Sequence, residues 1–230
     1  HRKLSFRGVH QAIQQLRDKV YIAMFDSDRA LAYEDLITPL MEVRELLVRQ
    51  FYGLYLKELD DLIDKVRLFR THFATLDIRQ DHRVHRNTVE TVLRRNGHIQ
   101  RSLDELSREV LVELLLEGSI QVRPGDYEDT LVRDTLQNIS QLGRIQEKNG
   151  EEGCNRYIIS NSEDLFSVLF VYGLFRWCGW EPNAITFDIV PLFETMKGME
   201  NAESVMQSLF DLPAYREHLG RRRETQTIML

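Results

Sequence analysis

Two acids and one arginine stand where a strand end could use them. In "LDIRQ" (76–80), strand alternation puts Asp77 and Arg79 on one face and Leu76 and Ile78 on the other. An arginine there suits a phosphate or a carboxylate, because its planar fork matches two oxygens. The same residues also read as an internal Asp–Arg pair with no ligand. In "DIVPLFETM" (188–196), Glu194 follows an apolar run that passes through Pro191, a residue tolerated where ladder bonding is ending. A carboxylate at a strand end can hold a hard cation. It can equally be an acid near the start of the next helix. Lys197 and Gly198 intervene before helical patterning resumes, which weakens the second reading.

Other groups offer less. The two imidazoles of "HRVH" (82–85) lack a third ligand at sensible spacing and read as a solvated helix start. Cys154 and Cys178 form no C-x-x-C pair, so neither a zinc site nor a disulfide framework is expected, and a reducing cytoplasm is the default. No G-x-x-x-x-G-K, G-x-G-x-x-G or G-x-S-x-G occurs, so a self-contained nucleotide site or a serine hydrolase is not supported.

The elements that must position these residues follow from periodicity. Val9, Ile13, Leu16 and Val20 line one face of a helix over 9–25, and Leu36, Leu40, Val43, Leu47 and Phe51 line another over 31–56. A third helix is expected over 57–70, acidic at its start and basic at its end, as the helix dipole favours. Strands are expected at 73–78, 155–160, 185–193 and 225–230. Between them fall helices near 85–95, 102–117, 127–147 and 161–177, the last capped by Asn161 or Ser162, and an amphipathic helix stopped by Pro213. Strands separated by helices form parallel β/α units. The expected class is therefore helix-rich α/β: a helical layer at 1–70 and a partial (β/α) TIM-type barrel over 71–230.

Composition bounds the function. The chain has 230 residues, 43% hydrophobic and 29% charged, as in a globular protein. A net charge of −6 argues against a general nucleic-acid binder, and "GRRRE" (220–224) reads as a solvated run. The longest strongly apolar stretch, "LFSVLFVYGLF" (165–175), is too short to span a bilayer. The chain opens on "HRKLSF" and closes on the apolar "TQTIML", so a segment of a longer protein is expected.

Taken in order, "LDIRQ", His85, "YIIS" (157–160), "VPLFETMKGMENAESVM" (190–206), "PAYREHL" (213–219) and "QTIML" resemble phosphoenolpyruvate carboxylase. The "PLFET" block is the most specific piece and "DIRQ" the second. The resemblance implies a mostly helical protein around an eight-stranded β/α barrel. That family joins bicarbonate to phosphoenolpyruvate, giving oxaloacetate and phosphate, with Mg²⁺ or Mn²⁺. By family position Glu194 is a metal carboxylate. Arg79 is the catalytic and substrate-binding arginine, with Asp77 and Gln80 in support. The resemblance further implies a cytoplasmic homo-oligomer, a tetramer at full length, with no nucleic-acid or membrane partner. Val84 stands where the family usually has an arginine, leaving Arg83 or Arg86 as substitutes. The family's second metal carboxylate, its "TAHPTE" histidine block and its "HGRGG" loop are expected outside these residues. Two rival readings are a helical interaction module retaining barrel motifs and another metal-dependent enzyme acting on phosphoenolpyruvate.

Overall fold

The computed structural model describes residues 6–26 and 29–230. The chain divides into two compact units, one running up to Thr75 and including Gly143–Cys154, the other comprising Leu76–Leu142 and Asn155–Leu230.

In the first unit, helices α1 (Arg7–Phe25), α2 (Tyr33–Gln50) and α3 (Leu56–Phe69) pack around Leu40, Val43, Leu47, Leu59 and Ile63. Val9 and Leu16 of α1 lie against that cluster, as the helical spacing requires, whereas Ile13 and Leu62 are exposed. Arg44 of α2 pairs with Asp60 of α3 at 2.7 Å.

The second unit is built on a parallel sheet. Strand β1 (Asp77–Asp81) pairs with β2 (Arg156–Ser160), and β2 with β3 (Asp188–Pro191). A further parallel bridge joins Leu192 to Met229, so the segment expected as a fourth strand is a single bridge beside β3. All of these pairings are parallel. The described residues form an open three-stranded sheet, with a closed barrel absent among them.

Helices α4 (His82–Arg95), α5 (Arg108–Leu116), α6 (Thr130–Asn149), α7 (Leu165–Trp177), α8 (Met196–Phe210) and α9 (Pro213–Arg221) complete the order, the last turns of α6 falling in the first unit. Helix α7 is apolar nearly all round and buries every residue but Phe166 and Arg176. It packs against α4, α5 and β3. Gly173 makes the α5 contact possible, since a Cβ there would lie 2.6 Å from Leu115 Cδ2.

Several boundaries differ from periodicity, each for a local reason. The first strand begins at Asp77 because the chain is still turning after α3, with Phe73 at φ +62°. Helix α4 starts at His82, capped by Asp81, whose Oδ1 accepts from the Arg83 amide at 2.8 Å. The segment expected as one helix at 102–117 is a short 3-10 turn on Ser102 followed by α5, which has its own cap at Ser107. Asp164, not Asn161 or Ser162, caps α7. Pro213, expected only to stop α8, also opens α9 at a position where its missing amide costs nothing.

Two buried imidazoles tie this core to pH. His85 Nε2 lies 2.9 Å from the hydroxyl of Tyr157, whose ring meets Phe175 edge-on. His218 packs between the rings of Tyr172 and Tyr215. Burial pushes His85 down to about 3, with His82 adding and Asp81 opposing. Burial likewise pushes His218 down to about 4, with Arg222 adding and Asp188 opposing. Unfolded histidine titrates near ~6.5. Below that pH the unfolded chain therefore binds more protons, and stability falls as the solution is acidified towards the folded values. Each histidine contributes a slope of about 1.4 kcal/mol per pH unit inside its window. The melting temperature is expected to drop between pH 6.5 and 5, and His218→Phe to flatten that drop. An unchanged slope in thermal unfolding of the variant rules out His218 as a source.

Candidate active site

In open parallel sheets, ligands bind beyond the carboxyl ends of the strands. Here those ends carry Asp81 on β1, Asn161 just past β2 and Glu194 just past β3. The register aligns Asp77, Arg79 and Asp81 with Arg156, Ile158 and Ser160, so these six share one sheet face. Ile78, Tyr157 and Ile159 occupy the opposite face, towards α4 and α7. Gln80 belongs to that second face as well, with its Oε1 accepting from the Asp81 amide at 2.9 Å. It therefore does not flank Arg79.

Arg79 is 63% exposed, and its Nη2 lies 3.6 Å from Asp77 Oδ2, an ion pair longer than a hydrogen bond. Asp77 thus faces one edge of the guanidinium, and among the described residues no acceptor is hydrogen-bonded to the fork. That leaves its donors free for an incoming oxyanion.

Glu194 is exposed, and its Oε1 accepts from the main-chain amide of Asn161 at 2.9 Å. It does not cap α8. Thr195 does, through Oγ1 accepting from the Gly198 amide at 2.9 Å, and helix α8 begins at Met196. Lys197 and Gly198 therefore sit in the first turn of the helix, not in an intervening loop. Gly198 is needed there because a Cβ would lie 2.5 Å from the carbonyl oxygen of Ser162. The close approach holds the start of α8 against the loop after β2. Lys197 reaches Glu163 of the same loop at 2.8 Å and holds that carboxyl below its usual range.

Asp81 is committed differently. Arg83 grips it with Nε to Oδ1 at 2.9 Å and Nη2 to Oδ2 at 2.7 Å, and this guanidinium holds the carboxyl well below the usual range. Asn161 Nδ2 adds a bond to Oδ2 at 2.8 Å. Of the two arginines flanking Val84, Arg83 is thus engaged by Asp81, while Arg86 pairs with Asp104 at 3.3 Å.

Arg79 lies midway along β1 and Glu194 three residues past the end of β3, and no hydrogen bond or ion pair joins them among the described residues. Arg79 stands level with Ile158 and Val190, four residues before Glu194, so two strand spacings across the sheet and about 13 Å along it separate their backbones. Among the described residues no three His, Cys, Asp or Glu side chains converge as a metal cage. A single carboxylate with a free oxygen still fits Mg²⁺, which takes one or two protein carboxylates and fills its shell with water and substrate oxygens. Asn161 was not marked by periodicity as more than a helix cap. Its position directly after a strand, where a left-handed turn suits Asn, was the available signal.

A cavity of about 640 Å³ lies elsewhere, between Gly118–Arg123 and Trp177–Pro182. Trp177–Pro182 leads into the amino end of β3 and Gly118–Arg123 leads from α5 towards α6, so this cavity lies away from Glu194 at the carboxyl end of β3. Neither Cys154 nor Cys178 is in a disulfide among the described residues, and burial pushes the Cys178 thiol up to about 12, which leaves it protonated and unreactive. No helix among the described residues is long and apolar enough to cross a membrane.

The family model for phosphoenolpyruvate carboxylase matches residues 6–230. Phosphoenolpyruvate carboxylase from Gloeobacter violaceus is 32% identical over 185 residues, covering 77% of this chain and 20% of that protein. The enzyme of the same name from Nitrosomonas eutropha is 30% identical over 197 residues, covering 82% and 21%, and that from Azoarcus is 34% identical over 174, covering 72% and 19%. The chain thus spans about a fifth of the length of the curated relatives it matches. The match runs through "DIRQ" and "PLFET" and through both units, which does not favour a mere interaction module retaining barrel remnants. The chain belongs to the phosphoenolpyruvate carboxylase family.

Proposed function

We propose that these residues form part of a carboxylase that joins bicarbonate to phosphoenolpyruvate, yielding oxaloacetate and inorganic phosphate. The observation that carries the reading is Arg79, an arginine with unengaged donors midway along β1, together with Glu194, a carboxylate with one oxygen free just past the end of β3. Phosphoryl transfer and enolate formation both build negative charge on oxygen, and fixed cationic groups at that charge lower the barrier. A bound Mg²⁺ or Mn²⁺ would supply further positive charge at the phosphate and enolate oxygens. Glu194 would hold it through the oxygen not used by Asn161. Arg79 would grip two oxygens of the phosphate, or of the carboxyphosphate formed from bicarbonate, and Asp77 would keep the guanidinium from swinging away.

The parallel sheet would then be part of a β/α barrel, in a cytoplasmic enzyme assembled as a tetramer. A carboxylase of full family length carrying this segment should release oxaloacetate and phosphate one for one. Oxaloacetate is read by coupled NADH oxidation and phosphate by a colorimetric assay. Phosphate release that persists undiminished without bicarbonate would overturn the reading in favour of a hydrolase or another enzyme of phosphoenolpyruvate.

A further inference from the structure

Asn161 occupies the junction between all three strand ends. It follows β2 directly, adopts φ +56°, and sends two donors in different directions. Its main-chain amide donates to Glu194 Oε1 at 2.9 Å, past the end of β3. Its side-chain Nδ2 donates to Asp81 Oδ2 at 2.8 Å, at the end of β1. Asp81 is in turn fixed by the bidentate Arg83. The result is one continuous chain, Arg83–Asp81–Asn161–Glu194, laid across the edge of the sheet.

We propose that Asn161 is a positioning residue, whose amide and side chain together set the orientation in which Glu194 meets a divalent cation. The proposal rests on Glu194 being a metal ligand, as argued above. Each part of Asn161 has a separate task. The left-handed backbone turns the N–H towards Glu194, and asparagine adopts that conformation more readily than most side chains. The Nδ2 bond to Asp81 then holds the turn in place, because Asp81 belongs to a paired strand and cannot follow a moving loop. Glu194 has no hydrogen-bond partner beyond Asn161 among the described residues. Without that amide, its exposed carboxylate would sample several rotamers. Next to it, Ser162 is locked independently, with its amide on the Leu192 carbonyl and its hydroxyl on that of Ile159. The loop is therefore anchored on both sides of the donor that Glu194 uses.

The test uses a carboxylase of full family length carrying this segment, with Mn²⁺ alone as the probe. Asn161→Gly keeps the left-handed backbone and the N–H but removes the anchor on Asp81, and glycine adopts φ +56° without steric cost. Groups that orient a metal ligand typically change affinity by about 10- to 100-fold when lost. Mn²⁺ binding, read from the electron paramagnetic resonance signal of the free ion, is expected to weaken about tenfold in Asn161→Gly. The metal concentration for half-maximal rate should rise with it, while turnover at saturating Mn²⁺ returns to the parent value. Glu194→Gln is measured alongside. Weaker binding in both variants supports the proposal. Weakening in Glu194→Gln alone overturns the positioning role and leaves Glu194 as a ligand. Unchanged binding in both overturns the assignment of Glu194 and the proposal with it. Asp81→Ser, which can still cap α4 but withdraws the carboxylate oxygen that Asn161 Nδ2 uses, provides the same readout if Asn161→Gly fails to accumulate as folded protein.

Discussion

Replacing Glu194 by Gln in a carboxylase of full family length carrying this segment will raise the Mg²⁺ concentration needed for half-maximal activity by more than about tenfold. The amide preserves the size of the side chain and an oxygen for the Asn161 N–H, so the 2.9 Å bond across the strand ends survives. What disappears is the negative charge, and a hard cation that dehydrates reluctantly gains little from a neutral amide. Because Thr195 caps α8 and Glu194 is exposed, the fold does not depend on that charge. Melting temperature should stay within about 2 °C of the parent, since surface changes of this kind rarely exceed about 0.5 kcal/mol. Steady-state rates titrated with Mg²⁺ and a thermal melt decide the matter together. An unchanged metal requirement with a sharp fall in melting temperature would mean that Glu194 serves the structure, and its role as a ligand would have to be withdrawn.

The contrast between Glu194 and Asp81 explains why residue type alone could not choose between them. Both are acids at the carboxyl ends of strands, and spacing alone does not tell which of them is already satisfied by a neighbour. Asp81 is neutralised by a two-point contact with Arg83 only two residues away and also caps α4. Glu194 has one amide partner and one free oxygen. Sequence spacing shows that an acid is present but not which neighbours satisfy it.

The elements themselves were readable where burial was one-sided or complete. Leu40, Val43 and Leu47 mark the inner face of α2, and the near-continuous apolar run of α7 marks a helix enclosed on most sides. The parallel order of β1, β2 and β3 followed from their separation by helices. Boundaries were hidden where side-chain caps decided them. Asp81, Ser107, Asp164 and Thr195 each fix a helix start through one hydrogen bond, and several polar residues nearby could have served. Phe73, Ala74 and Leu76 have the composition of a strand, which draws the expected first strand to 73–78, yet all three are exposed. Pairing with β2 begins only at Asp77 opposite Arg156. The link made by Asn161 was out of reach for a different reason. It joins residues 80 and 33 positions away in the chain, and no periodicity records a contact of that kind.

Arg79→Lys should leave the metal requirement within about twofold of the parent and lower turnover by about 10²- to 10³-fold, the range seen when one donor to a developing oxyanion is removed. Lysine keeps the positive charge and can still approach Asp77, so long-range attraction of an anionic substrate persists. Its ammonium is a point charge on a flexible stem and cannot hold two oxygens in one plane. The geometry of Arg79 makes that difference matter. Asp77 lies 3.6 Å from one guanidinium nitrogen, close enough to steady it and too far to occupy it. The remaining donors extend from an exposed side chain on the face that also carries Asp81 and Ser160. If the Asp77–Arg79 pair were only structural, lysine would preserve most of it, because an exposed ion pair contributes about 1 kcal/mol or less in either form. Turnover would then be nearly normal. Full activity in Arg79→Lys would sink the assignment of Arg79 to phosphate or carboxyphosphate. A loss confined to turnover, with Mg²⁺ titration unchanged, would separate its work from that of Glu194 past the end of β3.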